Sequence, residues 1–274
     1  MKYILVTGSS GQLALEIKKN VTDSRLQNTE YSWIFADKET LNICDRQAVS
    51  SFFKNNSIDI CINCAAYTGV DKAEEDKKNC KKINIIAVGY LAEICKKNQT
   101  VLFHISSDYV FDGTKGKPYV ESDITNPINY YGETKVAGEK IAIENNPKTI
   151  IIRTSWLYSK EFGKNFYKTM LGLAKQKDEI NVVSDQTGTP TDASNLAKFI
   201  IKLIIACTNE KFNEWGIIHF AGDTICSWAD FAQSIVQEHG LDCKINYISS
   251  QQYQTKAKRP SYSALRSIRN LYGD

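Results

Sequence analysis

The chain has 274 residues, with 34 Lys and Arg against 31 Asp and Glu, a formal charge of +3, 42% hydrophobic residues and five prolines. This composition supplies a sizeable core for one large domain or two modest ones and excludes wholesale disorder. The near-neutral charge excludes a broad basic face for nucleic acid but suits an anionic small molecule held by local cations. The apolar opening, Met1 to Val6, is far short of a signal-peptide core or a membrane span of roughly 20 residues, so neither nucleic acid nor membrane is expected as a partner.

Short β-rich apolar runs alternate with stretches of helical period. In chain order the pattern predicts a strand at Tyr3–Thr7, a helix at Gln12–Asn20, a strand at Tyr31–Ala36, a helix at Arg46–Asn55, a strand at Ile58–Cys64, a helix at Lys81–Lys97 and a strand at Val101–Ser106. The series continues with a helix at Tyr131–Glu144, a strand at Thr149–Thr154, a helix at Asn165–Lys175 and a strand at Ile180–Val183. Parallel strands need crossovers, so strict alternation predicts an α/β fold of Rossmann type, a doubly wound parallel sheet covered by helices on both faces. Beyond it, Ala193, Leu196, Ala197, Ile200, Ile201 and Ile204 fall on one helical stripe, followed by a strand at Gly216–Phe220 and a helix at Ser227–Glu238. The expected division is a nucleotide-binding lobe over residues 1–155 and a mainly substrate-binding lobe over residues 156–274, some of whose segments return to the first lobe. No linker, repeat or low-complexity tract separates them.

The eight cysteines are spread along the chain without the spacing of a secreted disulfide framework, which predicts a reducing, cytoplasmic setting. Cys61 and Cys64 form a CxxC, but inside a predicted strand residues three apart point to opposite faces. No second CxxC or nearby histidine completes a metal site, so this pair is read as structural.

The turn Thr7-Gly8-Ser9-Ser10-Gly11-Gln12-Leu13-Ala14 links the first strand to the first helix. Glycines there allow a tight turn and close approach of a pyrophosphate, while the helix N-terminus offers free N–H donors. Asp37, 26 residues beyond Gly11, follows the second strand, where a carboxylate can accept bonds from an adenosine ribose. A carboxylate disfavours a 2′-phosphate and the adjacent Lys38 attracts it, so NADH and NADPH both stay open. Ala65-Ala66-Tyr67-Thr68, after the third strand, places small residues at the sheet edge where ligands of such folds bind.

The reactive constellation is Ser106-Ser107-Asp108-Tyr109-Val110-Phe111-Asp112-Gly113 after the fourth strand, followed by Tyr130-Tyr131-Gly132-Glu133-Thr134-Lys135. Tyr131 and Lys135 are one helical turn apart on one face, so the ammonium is expected to favour the phenolate and make Tyr131 a proton donor and acceptor near neutral pH. Tyr109 and Tyr130 compete for that role, but only Tyr131 has a lysine four residues on. Ser107, at the strand tip, can hydrogen-bond a carbonyl oxygen that becomes an alkoxide. The chemistry this fits is reversible carbonyl reduction with a nicotinamide.

These residues resemble the extended short-chain dehydrogenase/reductases over nearly the whole chain. The likeness also rests on Asn63-Cys64-Ala65-Ala66-Tyr67-Thr68, Val70-Asp71-Lys72-Ala73-Glu74, Arg153-Thr154-Ser155-Trp156-Leu157-Tyr158 and Asp185-Gln186-x-Gly188-x-Pro190-Thr191. The resemblance implies that Gly11, Gln12, Leu13, Asn42, Ile43, Ala66, Tyr67, Thr68 and Ile105 join Gly8, Asp37, Tyr131 and Lys135 around NADPH or NADH. It also implies that Ser107, Asp108 and Trp156 meet the deoxysugar of a nucleotide-sugar substrate, with Arg259 on its diphosphate. The implied reaction is reduction of the C4 ketone of a dTDP-linked 4-keto-6-deoxyhexose for polysaccharide synthesis. A reductase or epimerase of another nucleotide-4-ketosugar and a non-catalytic NADP-binding regulatory subunit remain alternatives.

Some members of the family bridge a dimer with magnesium on glutamates. Glu16 matches one such position, but Ser194 stands where another carboxylate would sit, so no metal and a monomer or weak homodimer are expected. The resemblance further implies that the chain, ending at Asp274, stops short of the family's usual last helix.

Overall fold

A computed structural model describes residues 1–22, 30–208 and 212–269. The first half alternates as the sequence predicts, through β1 (Lys2–Thr7), α1 (Gln12–Thr22), β2 (Tyr31–Ala36), α2 (Arg46–Asn55) and β3 (Ile60–Asn63). It continues through the short helices α3 (Val70–Ala73) and α4 (Lys77–Lys81), then α5 (Ala87–Lys97), β4 (Val101–Ser107), α6 (Tyr130–Asn145) and β5 (Thr149–Thr154). Local capping sets several boundaries. Asp45 accepts from the backbone N–H of Gln47 and Ala48 at the start of α2, and Asn129 from that of Gly132 at the start of α6.

The helix predicted over Lys81–Lys97 is α4 and α5 joined by a π-helical turn at Lys82–Ile86. That turn seats Asn84, which is buried and would lie 2.3 Å, through its carbonyl oxygen, from any Cβ on Gly138 of α6. Only glycine lets the two helices approach so closely.

The second half contains β6 (Leu157–Tyr158), α7 (Phe166–Ala174), β7 (Glu179–Val183), β8 (Thr187–Gly188), β9 (Thr191–Asp192) and α8 (Ala193–Cys207). β10 (Gly216–His219), β11 (Cys226–Ser227), α9 (Trp228–Glu238) and β12 (Lys244–Ile248) follow. The central sheet has six parallel strands in the order β10-β5-β4-β3-β1-β2. Alternate residues feed two cores. Ile4, Val6, Ile60, Ile62, Ile150 and Ile152 pack with α1 and α8, while Leu5, Cys61, Leu102 and Ile151 pack with α2 and α5. Cys61 belongs to the second core and Cys64 packs against the first, as expected for residues three apart on a strand.

The strand predicted at Ile180–Val183 forms, but it does not extend the central sheet. As β7 it pairs in parallel with β12, a strand absent from the sequence reading, and the sixth place in the large sheet goes to β10. A separate core of Tyr167, Met170, Val182, Phe231, Ile235 and Ile245 joins α7, α9, β7 and β12. α8, by contrast, lies on α1, so the chain returns to the first lobe after leaving it.

Candidate active site

A cleft of about 820 Å³ opens at the C-terminal ends of the central strands, between the sheet and the α7–α9 lobe. At one end Gly8 has φ +63°, and a Cβ there would lie 2.7 Å from the backbone of Ala65, so the turn after β1 fits only glycine. Gly11 donates to the carbonyl of Gly8 at 2.9 Å and opens α1. Gln12 ties the two lobes together: its Nε2 donates to the Leu157 carbonyl at 3.0 Å and its Oε1 accepts from Asn165 Nδ2 at 2.9 Å. Gly8, Gly11, Gln12, Leu13, Asn42, Ile43, Ala66, Thr68 and Ile105 all line the cleft. Small residues, a helix N-terminus and a long open groove make a cradle that fits a dinucleotide.

Two residues expected at the cofactor do not line the cleft. Asp37 Oδ1 accepts from the N–H and hydroxyl of Thr40, both at 2.8 Å, bonds that hold its carboxyl below the usual range; the neighbouring Lys38 lines the cleft instead. The Tyr67 phenol donates to Asp76 at 3.3 Å, and its backbone is clasped by Asn84, which accepts from Tyr67 N–H at 2.9 Å and donates to its carbonyl at 3.1 Å. Sequence reading missed Asn84, although a polar residue on the otherwise apolar face of a predicted helix was its signal.

At the other end β4 delivers Ser107 and α6 delivers Tyr131 and Lys135. The Tyr131 phenol is hydrogen-bonded to Ser107, whose hydroxyl donates to Asp108 Oδ1 at 3.1 Å. Lys135, only 1% exposed, donates from Nζ to the Ile105 carbonyl at 2.7 Å. Burial pulls its pKa down to about 8, against the opposing charges of Glu139 and Cys80. The expectation that Lys135 lowers the Tyr131 pKa is corrected here. Burial pushes the phenol up, Ser107 is the group that pulls it down, and the ammonium is engaged on Ile105. Asp108 is also buried. Desolvation raises its pKa to about 6, although Ser263, Ser155 and Ser107 all bond its carboxylate.

Trp156 lines the cleft with a strained φ of +47°, a backbone state rare outside glycine. One face of its indole stacks on Trp228 at 3.4 Å and 5°. A Cβ on Gly188 would fall 2.4 to 2.7 Å from Cε2, Nε1 and Cζ2 of that indole, distances that set Gly188 above the ring, and Trp228 already fills the other side. Both faces are covered, so Trp156, expected at the deoxysugar, lines the cleft by the edge of its indole. Trp228 and Phe166, also in the cleft wall, carry further aromatic surface there. Neither was identified from sequence, but the capping box of Ser227 and Asp230 marks the helix start that positions Trp228.

Arg259 does not line the cleft. Its guanidinium makes a bidentate pair with Asp71 at 3.1 and 2.6 Å and donates to the Ala257 carbonyl. The cations in the cleft lining are Lys38, Lys135 and Lys164. Thr154, registered opposite Ser107 on β5, lines the cleft with a buried hydroxyl that has no partner. Glu16 is buried and accepts from the Ser159 hydroxyl. Among the described residues no group of three or more His, Cys, Asp or Glu is arranged to hold a metal, and no helix is long and apolar enough to cross a membrane.

The sequence pattern of the RmlD substrate binding domain matches residues 1–271. The dTDP-4-dehydrorhamnose reductase of Aggregatibacter actinomycetemcomitans is 38% identical over 271 residues, covering 97% of this chain and 90% of that protein. Among solved structures, the dTDP-4-dehydrorhamnose reductase of Clostridium acetobutylicum superposes with a TM-score of 0.89 at 40% identity, over 96% of this chain and 90% of that one. The Bacillus anthracis enzyme of the same name, solved in complex with NADP, gives a TM-score of 0.90 at 35% identity over 97% and 91%.

Proposed function

Because this chain belongs to the RmlD substrate binding domain family, within the extended short-chain dehydrogenase/reductases, we propose that it reduces the C4 ketone of dTDP-4-dehydro-6-deoxy-L-mannose to dTDP-L-rhamnose. The observation that carries this reading is the convergence of Ser107, Tyr131 and Lys135 at one end of a cleft whose other end is the Gly8–Gly11 turn. A nicotinamide cofactor bound along that cleft supplies the hydride. Tyr131 gives its proton to the C4 oxygen, and Ser107 hydrogen-bonds that oxygen as charge develops on it. Lys135, one helical turn from Tyr131 and donating to the Ile105 carbonyl, is placed to bind the cofactor beside the phenol.

NADPH suits the adenosine end better than NADH, because Lys38 faces the cleft and Asp37 is tied to Thr40. The relative solved with NADP supports the same choice. The phosphates of cofactor and substrate meet Lys38 and Lys164, with Arg259 held on Asp71. The lobes are assigned as residues 1–155 for cofactor and mainly 156–274 for substrate. All eight cysteines are free, which supports a reducing, cytoplasmic setting. Glu16 is engaged internally by Ser159, which supports a monomer or weak homodimer without a bridging metal.

Tyr131→Phe is expected to slow NADPH consumption with the ketosugar by about 10²- to 10⁴-fold while leaving NADPH affinity within a few-fold of wild type. Loss of absorbance at 340 nm and fluorescence titration measure the two. Near-normal turnover in that variant, or no net NADPH consumption by wild type, would overturn the proposal.

A further inference from the structure

One helical turn beyond Lys135 lies Glu139, a buried carboxylate that the reaction above does not use. Residues 131, 135 and 139 share a face of α6, and that face meets three consecutive residues at the end of β4. Tyr131 is bonded to Ser107, Lys135 donates to the Ile105 carbonyl, and Glu139 accepts from the Ser106 hydroxyl. Glu139 is also fixed from β5, where Arg153 donates to it from Nε at 2.9 Å and from Nη2 at 2.6 Å. Arg153 is itself confined, lying over the Phe111 ring at 5.2 Å and 3.5 Å from His219 Nε2. Glu139 and Arg153 are 3% and 2% exposed, so this is an interior assembly and not a surface ion pair.

A lone ammonium so enclosed tends to shed its proton, because burial penalises the charged form. Four groups face it. Tyr131 and Glu139 lie on its own helix, Cys80 approaches from α4, and His104 on β4 is buried and held neutral by desolvation and by Lys135 itself. Glu139 makes the largest contribution opposing desolvation. We propose that Glu139, clamped by Arg153 and Ser106, is a positioning residue that keeps Lys135 charged and seated against the end of β4. The Tyr-x-x-x-Lys pair is thereby extended by one rung into a buried Tyr–Lys–Glu ladder. The inference rests on the reductase reading for its kinetic consequence, but not for its effect on cofactor binding.

The test is Glu139→Gln, assayed for kcat and, independently of turnover, for NADPH affinity by fluorescence titration between pH 6 and 9. With the carboxylate gone Lys135 loses its proton at lower pH, so the alkaline limb of both profiles moves down by about one unit. That is a roughly fivefold loss near pH 8, approaching tenfold by pH 9, with recovery to near wild type at pH 6, where Lys135 is charged in either protein. A merely structural role would give a loss independent of pH. A folded variant with unshifted profiles, or with a uniform loss, overturns the proposal. Removing one member of a buried pair strands the other, so Glu139→Gln/Arg153→Met, which removes both charges, is measured alongside and is expected to show a smaller shift in the same direction. If neither folds, Ser106→Ala decides: it leaves the ion pair intact and is expected to give a smaller shift in the same direction, and no shift in it refutes the role. Failure of wild type to consume NADPH would sink the reductase reading alone, since the affinity profile still tests Glu139.

Discussion

Asp108 shows how far surroundings change the chemistry of a single residue. Three hydroxyls, from Ser107, Ser155 and Ser263, bond its carboxylate, yet desolvation wins and its pKa stands at about 6. An acid that holds its proton more tightly folded than unfolded favours folding at low pH. That contribution is full below about pH 4 and is lost as the pH rises through about 6. Asp108→Asn stays neutral throughout, so its stability relative to wild type is expected to increase above pH 6 by up to about 3 kcal/mol, with no gain below pH 4. Denaturant unfolding at pH 4 and pH 8 measures this, and a gain of equal size at both pH values would refute it. The same variant is expected to be a poorer enzyme, since stability gained in a cleft commonly costs function. At this scale the sequence was most legible where chemistry is local. Ser107, Tyr131 and Lys135 were found because strand tip and helix face follow from spacing. Arg259 and Tyr67 were placed differently because their partners are chosen by tertiary contacts, Asp71 lying 188 residues from Arg259.

Among elements, the π turn at Lys82–Ile86 is the least regular feature and the one most closely tied to the site. It presents Asn84 both to the Tyr67 backbone, beside the cofactor end, and to Thr134 of α6 at 3.1 Å. Gly138 is what admits it. Alanine at Gly138 would gain about 1 kcal/mol of helix propensity, but its Cβ would meet the Asn84 carbonyl oxygen, and overpacking against backbone costs about 1–3 kcal/mol. The clash dominates, so Gly138→Ala is expected to lower the thermal midpoint by several degrees and to weaken NADPH binding by displacing Ala66 and Thr68, which flank the Tyr67 backbone held by Asn84 and line the cleft. A midpoint at or above that of wild type would show that the two helices can separate at little cost. The sequence pattern revealed a helix here but not its π turn, because one residue inserted into an apolar stripe still reads as a stripe. β12 was missed for a related reason: Lys244-Ile-Asn-Tyr-Ile has only half-buried alternation, and its pairing with β7 is fixed by the fold.

For the molecule as a whole, the broad architecture was the most legible property, since alternation of apolar runs and amphipathic helices dictates a parallel sheet. The path of the later chain was not. α8 buries Leu196, Ile200, Leu203 and Ile204 in the same core as α1, and β10 covers the edge of β5. A fragment of residues 1–155 would therefore expose that core face and leave β5 as an unpaired apolar edge. It is expected to aggregate or to lack a cooperative unfolding transition, and a soluble fragment with a sharp calorimetric transition would refute this. The same return of the chain has a mechanical consequence. Lobes joined by one connector can pivot like leaves on a hinge, but here the chain passes between the two cores after β5, again into α8 and again after β10, with Gln12 as a brace between them. Together they act as a frame with several struts. Rigid-body rotation must bend every strut at once, so the scaffold resists a change in the width of the opening.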